Sequence, residues 1–442
     1  MTPAAPVASG RWRRLGAPLA IGLVALGLRL WFVTEEHPLD LYLLGDMELL
    51  EQRARAMLAG TERAADTFTP AGYPAFLAVV FAAGGGHAAV GKLHAMLGAL
   101  TCVLVHRVAH ALAGRAWVAA LGALLLALYP PLIFYTGVQL TETLAAFLVT
   151  LAAWLALPGR RPPAAALAGL ALGLAVATRP NLLLTLPPLA WLAWRERRRE
   201  AVAPSTPPWS RHLATCLAAA LLTLVPVVVH NSRLTGRLTG VATNGGINFL
   251  LAHCECQVVE LPPGGRLKSV RANVNRRYFT DTVRSDHLAH EEGAHYREGL
   301  RRIAERPSRV LLGWRNLVEG LGLGRMGRFP EQAYWPGWMG HDDLLNVPAR
   351  AIVGVLGLVL ARLVWAARGG PPLTRTHALL LALLSSLVPV FVAFIGDPRV
   401  RVSLDPLLLA LGAEALGTGL GWLRSRGERA PRDAPPGSGS GR

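Results

Sequence analysis

Apolar residues fall in long runs along this chain and do not alternate with polar ones. Residues 15–33, 88–112, 117–134, 143–157, 213–229, 347–361, 378–395 and 407–423 are each nearly free of charge. About 20 apolar residues are needed to cross a bilayer core. Such a run in lipid must be helical, because every backbone N–H and C=O has to be satisfied within the segment. Two shorter apolar stretches, 164–178 and 182–194, meet at "TRPN" and predict a further pair of crossings or a broken hairpin. The pattern predicts an all-α integral membrane protein, a multi-span helical bundle with about ten crossings and room for eleven or twelve.

Between these runs the polar segments have their own periodicity. In "LYLLGDMELLEQRARAMLAG", Leu49, Leu50, Ala54, Met57 and Leu58 recur at helical spacing, with charges between them. This predicts a short helix lying in the interface. "YPAFLAVVFAAGGG" at 73–86 is apolar but short, and reads as a juxtamembrane or re-entrant piece. Residues 288–306 predict an amphipathic helix ended by Pro307, and 310–324 an interfacial one. The organisation expected is a transmembrane module over 1–230 with a first outer loop at 35–86, an outer region at 231–347, C-terminal helices at 348–423 and a disordered tail at 424–442.

Composition then fixes orientation. The net charge is +17 and the hydrophobic share 52%. If the helices alternate sides, the connections on the N-terminal side hold 18 Arg or Lys and the short connections opposite hold 6. That asymmetry follows the positive-inside rule and places the N-terminus in the cytoplasm. A nucleic-acid partner would need a broad basic soluble face; the cytoplasmic segments are too short to build one, so none is expected. The first run lacks a small-residue cleavage site and reads as a retained anchor. Cys254 and Cys256 form a CxC in the outer region, which suggests neither a disulfide framework nor a CxxC metal pair.

With this topology, polar residues at the helix ends gather on the outer face: Asp46, Glu48, Lys92, Glu142, Arg179, Arg399 and Arg401. Charges at membrane depth are costly and face a cavity or one another. A carboxylate beside several cations suits attack by a hydroxyl on an anionic donor: the acid takes the proton and the cations hold the departing phosphate. Glu48 and Glu142 are candidate assisting acids. A divalent ion near Glu48 is a further candidate, and no other cofactor is implied. Arg399 and Arg401, two apart, would share a face if "GDPRVRVSLDP" were extended. "HEEGAH" at 290–295 spaces its histidines five apart and does not fit a zinc helix, which needs four.

Six segments carry a resemblance, in order: "GDMELLEQRARAMLAG", "TPAGYPAFLAVVF", "YPPLIFYTGVQLTETLAAFL", "ATRPNLLLTLPPL", "HNSRLTGRLTGVATNGGINFLL" and "GDPRVRVSLDPLLLALGA". The chain resembles the GT-C superfamily of membrane glycosyltransferases, in particular the bacterial family-39 group related to protein O-mannosyltransferases and aminoarabinose transferases. The resemblance implies inverting transfer of a sugar from a polyprenyl-phosphate donor to a hydroxyl acceptor, on the outer face of a bacterial cytoplasmic membrane. It makes Asp46 the general base; the cations nearby, Arg399 with Arg401, Arg179 or Lys92, are the candidates to bind the donor phosphate. Leu49 and Leu50 stand where the family has an aromatic, and "TPAGYP" lacks the lysine of a related "KPPL" pattern. The competing class is a transporter of lipid-linked sugar or solute. That class predicts inverted repeats, which the sequence does not display.

Overall fold

The computed structural model describes residues 9–41, 43, 46–204, 207–254, 256–260, 281–285, 292–322, 342–394 and 396–428. Most of the expected tail lies outside them, as does much of the 231–347 region.

The chain opens with α1 (Ser9–Trp31), then α2 (Asp46–Ala59) and α3 (Gly72–Ala82), and enters the bundle with α4 (His87–Ala113) and α5 (Ala116–Ala127). The short α6 (Pro130–Phe134) leads to α7 (Glu142–Leu155), α8 (Pro162–Thr178), α9 (Leu186–Val202) and α10 (Trp209–Thr235). Next come α11 (Gly245–His253), two parallel strands β1 (Cys256–Glu260) and β2 (Asp281–Ser285), α12 (Glu292–Glu305) and α13 (Val310–Gly320). The last part holds α14 (Asp342–Ala367), α15 (Arg375–Leu384), α16 (Leu387–Ala393), α17 (Pro398–Val402) and α18 (Asp405–Glu428).

The protein is thus a multi-pass helical membrane protein. Among the described residues five helices are long and apolar enough to cross, Gly16–Glu36, His87–Ala113, Trp209–Thr235, Arg375–Ala393 and Asp405–Ser425. A sixth span forms if Ala116–Ala127 and Pro130–Gly137, bent by 56°, are one. The expectation of about ten exceeds this number for a reason of length. The run at 143–157 yields only the 14 residues of α7, about 21 Å at 1.5 Å per residue against a core of about 30 Å. The run at 182–194 begins as a 3₁₀ turn and ends inside α9, which carries "RERRRE".

Three contacts explain how the bundle closes. Gly169 and Gly173, four apart on α8, face α10. A Cβ on Gly169 would strike the Cys216 carbonyl, and one on Gly173 would lie 2.6 Å from Thr223 Cβ. This is small-residue packing, which lets two backbones approach without side chains between them.

At the bend between α5 and α6, Pro130 and Pro131 remove the N–H groups that would reach Leu126 and Ala127. Arg29 of α1, 1% exposed, replaces them: Nη2 donates to the Leu126 carbonyl at 3.3 Å and Nη1 to the Ala127 carbonyl at 3.1 Å.

At the start of α18, Arg401 and Asp405 form a fully buried pair at 2.8 Å, with Tyr129 donating to the second carboxylate oxygen at 2.9 Å.

The bundle has two distinct ends. One carries the N-terminus of α7, the C-terminus of α8, α2 and α17. The other is marked by Trp209 at the start of α10, whose indole donates to the Ala156 carbonyl just past α7 at 2.9 Å.

Candidate active site

Asp46 is the first residue of α2, where a carboxylate is favoured by the helix dipole. Glu142 occupies the same position on α7. Arg179 ends α8 because Pro180 follows it: the residue before a proline is pushed out of the helical region, and Arg179 is extended (φ −137°, ψ 97°). Asp397 caps α17 by accepting the Arg399 backbone N–H at 2.9 Å, with Pro398 in the first turn. These four local rules aim four charged side chains at one point.

There Glu142, fully buried, takes two guanidinium groups on one oxygen. Arg179 Nη1 donates to Oε1 at 2.7 Å and Arg399 Nε donates to the same atom. Arg179 Nη1 also reaches Thr141 Oγ1 at 3.0 Å. Arg399 turns its other edge outward, and Nη1 donates to Asp46 Oδ2 at 3.0 Å. The Asp46 side chain is 62% exposed and the Arg399 side chain 18%. Burial pushes the Asp397 carboxyl up, against the pull of Arg399 and Arg179, and the charge of Glu142 pushes the same way as burial.

The remaining candidates lie apart. Glu48, two residues after Asp46, is exposed and faces away, since i and i+2 do not share a helix face. Lys92 is exposed on the α4 stripe that continues through Met96 and Leu100. Arg401 turns away from Arg399: "PRVRV" is the helix α17, not an extended segment, so a spacing of two does not put them on one face. Arg401 donates to Asp405 and, at 2.6 Å, to the Leu321 carbonyl. Among the described residues no group of three or more His, Cys, Asp or Glu is arranged to hold a metal.

Two supporting networks were not anticipated. Glu51, one turn beyond Asp46 on α2, accepts from Gln139 at 3.1 Å and His87 at 2.8 Å on Oε2, and from Arg55 on Oε1. It ties the helix bearing Asp46 to the segment that leads into Glu142. Behind that segment, His94 Nδ1 donates to the Thr136 carbonyl at 3.2 Å and Nε2 accepts from Tyr73 Oη at 3.1 Å. The acidic residue at i+5 on α2 and the Gln139–Glu142 spacing were visible in sequence, but nothing there linked positions 88 residues apart.

No family model and no curated protein matches this chain. Its fold does match solved structures. The oligosaccharyltransferase AglB of Archaeoglobus fulgidus, in complex with an inhibitory peptide and a dolichol-phosphate, superposes with a TM-score of 0.51 at 13% identity, over 96% of this chain and 53% of that one. The apo form of the same enzyme gives 0.52, with equal identity and coverage. ArnT from Cupriavidus metallidurans bound to undecaprenyl phosphate is matched at 13% identity over 97% of this chain and 82% of that one, with a TM-score of 0.35. The fold resembles that of the AglB oligosaccharyltransferase. The chain spans about half the length of the oligosaccharyltransferases it matches.

Proposed function

We propose that this protein is an inverting glycosyltransferase that moves a sugar from a polyprenyl-phosphate donor to a hydroxyl acceptor on the outer face of the membrane. The observation that carries this reading is the Asp46–Arg399–Glu142–Arg179 cluster at one end of a GT-C-like bundle. Two carboxylates and two guanidiniums pair there, with the Asp397 carboxyl beside them. Glu142 is buried beneath the pair of arginines, while Asp46 is exposed at the rim.

In this reading the donor phosphate competes with Asp46 for the outward edge of Arg399. Glu142 holds Arg399 and Arg179 in place as it does so. The freed Asp46 carboxylate then takes the proton from the acceptor hydroxyl as its oxygen attacks the anomeric carbon, on the face opposite the departing phosphate. The guanidiniums carry the charge that develops on the leaving polyprenyl phosphate. The chemistry draws on a lipid-linked donor, so it requires no nucleotide on the outer face. Cys254 is disulfide-bonded, contrary to the sequence expectation.

The test is reconstitution of the purified protein in vesicles with a labelled polyprenyl-phosphate sugar and hydroxyl acceptors. Labelled glycoside and released polyprenyl phosphate are expected in equal amounts. Movement of intact sugar lipid between leaflets, with no glycoside formed, would give the answer to the transporter.

A further inference from the structure

A second feature lies at the opposite end of the bundle. The antiparallel helices α9 and α15 border a groove of about 450 Å³. Its body is apolar, with Trp191 and Leu192 of α9 facing Ala378, Leu381 and Ala382 of α15. Its mouth is cationic, formed by Arg195, Arg199 and Arg375. The end of the bundle is fixed by α9's neighbours: Glu200 accepts from the Trp209 backbone N–H at 2.7 Å, and Trp209 in turn bonds past the far end of α7 from Glu142.

Charge in this region is sorted by direction. "RERRRE" and Arg375 bring five arginines against two glutamates. Both glutamates point inward: Glu196 is fully buried and paired with Arg375 at 2.8 Å and Arg199 at 3.1 Å, and Glu200 is held at the start of α10. Arg375 lies 3.7 Å from Glu200 as well, so the positive charge left over at the groove mouth is that of Arg195. Arg195 packs its guanidinium over Trp191, 5.4 Å from the ring centroid, and among the described residues it makes no ion pair. Trp191 and Trp194 are about half exposed. Exposed tryptophans beside arginines mark the headgroup level of a bilayer.

We infer that this groove is a binding site for an anionic phospholipid, its phosphate held by Arg195 with Arg199 and Arg375, and one acyl chain lying along Trp191 and Ala382. A zwitterionic lipid would bring its own cation to the same arginines and lose the attraction. A site with a charged mouth and an apolar body fits a lipid better than a soluble anion. Basic pockets between membrane helices recognise anionic headgroups in this way. The site is independent of the transfer chemistry proposed above, and its test does not read that chemistry.

The test uses the full-length protein in mixed micelles with spin-labelled phosphatidylglycerol or phosphatidylcholine, and inorganic phosphate as a third probe. The wild type is expected to prefer phosphatidylglycerol. Arg195→Gln, which removes a side chain that makes no ion pair among the described residues, should lower that preference about fivefold, the scale of one cationic side chain at an anionic surface. Arg198→Gln is the control: Arg198 stacks on Trp194 at 4.1 Å and does not line the groove, so the preference should survive its loss. Ala382→Phe, which fills the apolar body and leaves the arginines, should abolish the immobilised lipid. Equal retention of both lipids by the wild type, an equal effect of R195Q and R198Q, unchanged binding in A382F, or displacement of the lipid by millimolar phosphate would each overturn the assignment.

Discussion

Arg399 reaches Asp46 across 353 residues of chain, its Nη1 lying 3.0 Å from the carboxylate, while its Nε holds Glu142. One side chain therefore joins the exit of the first crossing to the entrance of the last. The pairing makes Glu142 the anchor of the site. It is fully buried between two guanidiniums, and removing one partner of a buried pair costs about 3–5 kcal/mol. Glu142→Gln is expected to lower the thermal midpoint sharply. Adding Arg179→Gln should recover part of the loss, because one uncompensated charge is then gone. Detergent-solubilised melting curves of the single and double variants read this directly.

Arg29 should be coupled to the prolines it serves. The loss caused by Arg29→Leu combines a relieved buried charge with the Ala127 carbonyl left without its donor, while the Leu126 carbonyl keeps the Tyr129 backbone N–H at 3.2 Å. The carbonyl part, about 1–3 kcal/mol, should largely disappear when Pro131→Ala restores a backbone donor. A double-mutant cycle on unfolding free energy is expected to give a clear positive coupling.

Gly169→Leu should separate α8 from α10. The new side chain meets the Cys216 carbonyl, which belongs to helix backbone and has nowhere to go. Exposed Gly27, whose added Cβ meets nothing within 4 Å, should accept alanine without loss. Expression and melting temperature of the two variants check the contrast.

Glu51 gives the site a pH dependence. Burial opposes its ionisation, but hydrogen bonds from Gln139, His87 and Arg55 outweigh burial and hold its pKa below the ordinary value of 4.5. A lowered carboxylate pKa stabilises the fold above the unfolded value, and that contribution fades as pH falls through the folded one. The wild type should therefore lose stability on acidification below about pH 4.5. Glu51→Gln should be less stable at neutral pH and lose less on acidification, as followed by melting midpoint against pH.

The helices were legible because lipid leaves an apolar run no alternative to helix. The ends of α8 and α12 were legible from Pro180 and Pro307 for the same local reason. What the sequence withheld depends on tertiary partners. Arg29 sits in an apolar run, and only the fold reveals that it answers two prolines a hundred residues away. Gly169 and Gly173 had a readable spacing of four that passes for ordinary apolar sequence. A spacing of two puts Arg399 and Arg401 on one face only in an extended segment, and "PRVRV" is helical; in a helix the spacing of Arg401 to Asp405 is the i, i+4 of an ion pair. Lys92 lies at the same end of its helix as the acids, but on a different face, with exposed Met96 and Leu100.

The central claim is that Asp46 accepts the acceptor's proton beside a phosphate held by Arg399. Its most direct test is the single-turnover rate of sugar transfer from a labelled polyprenyl-phosphate donor by wild type and Asp46→Asn, each shown to bind the donor. Asparagine keeps the shape and the hydrogen bond to Arg399 but cannot take a proton. A fall of about 10²–10⁴-fold with donor binding retained is expected; an unchanged rate would contradict the claim.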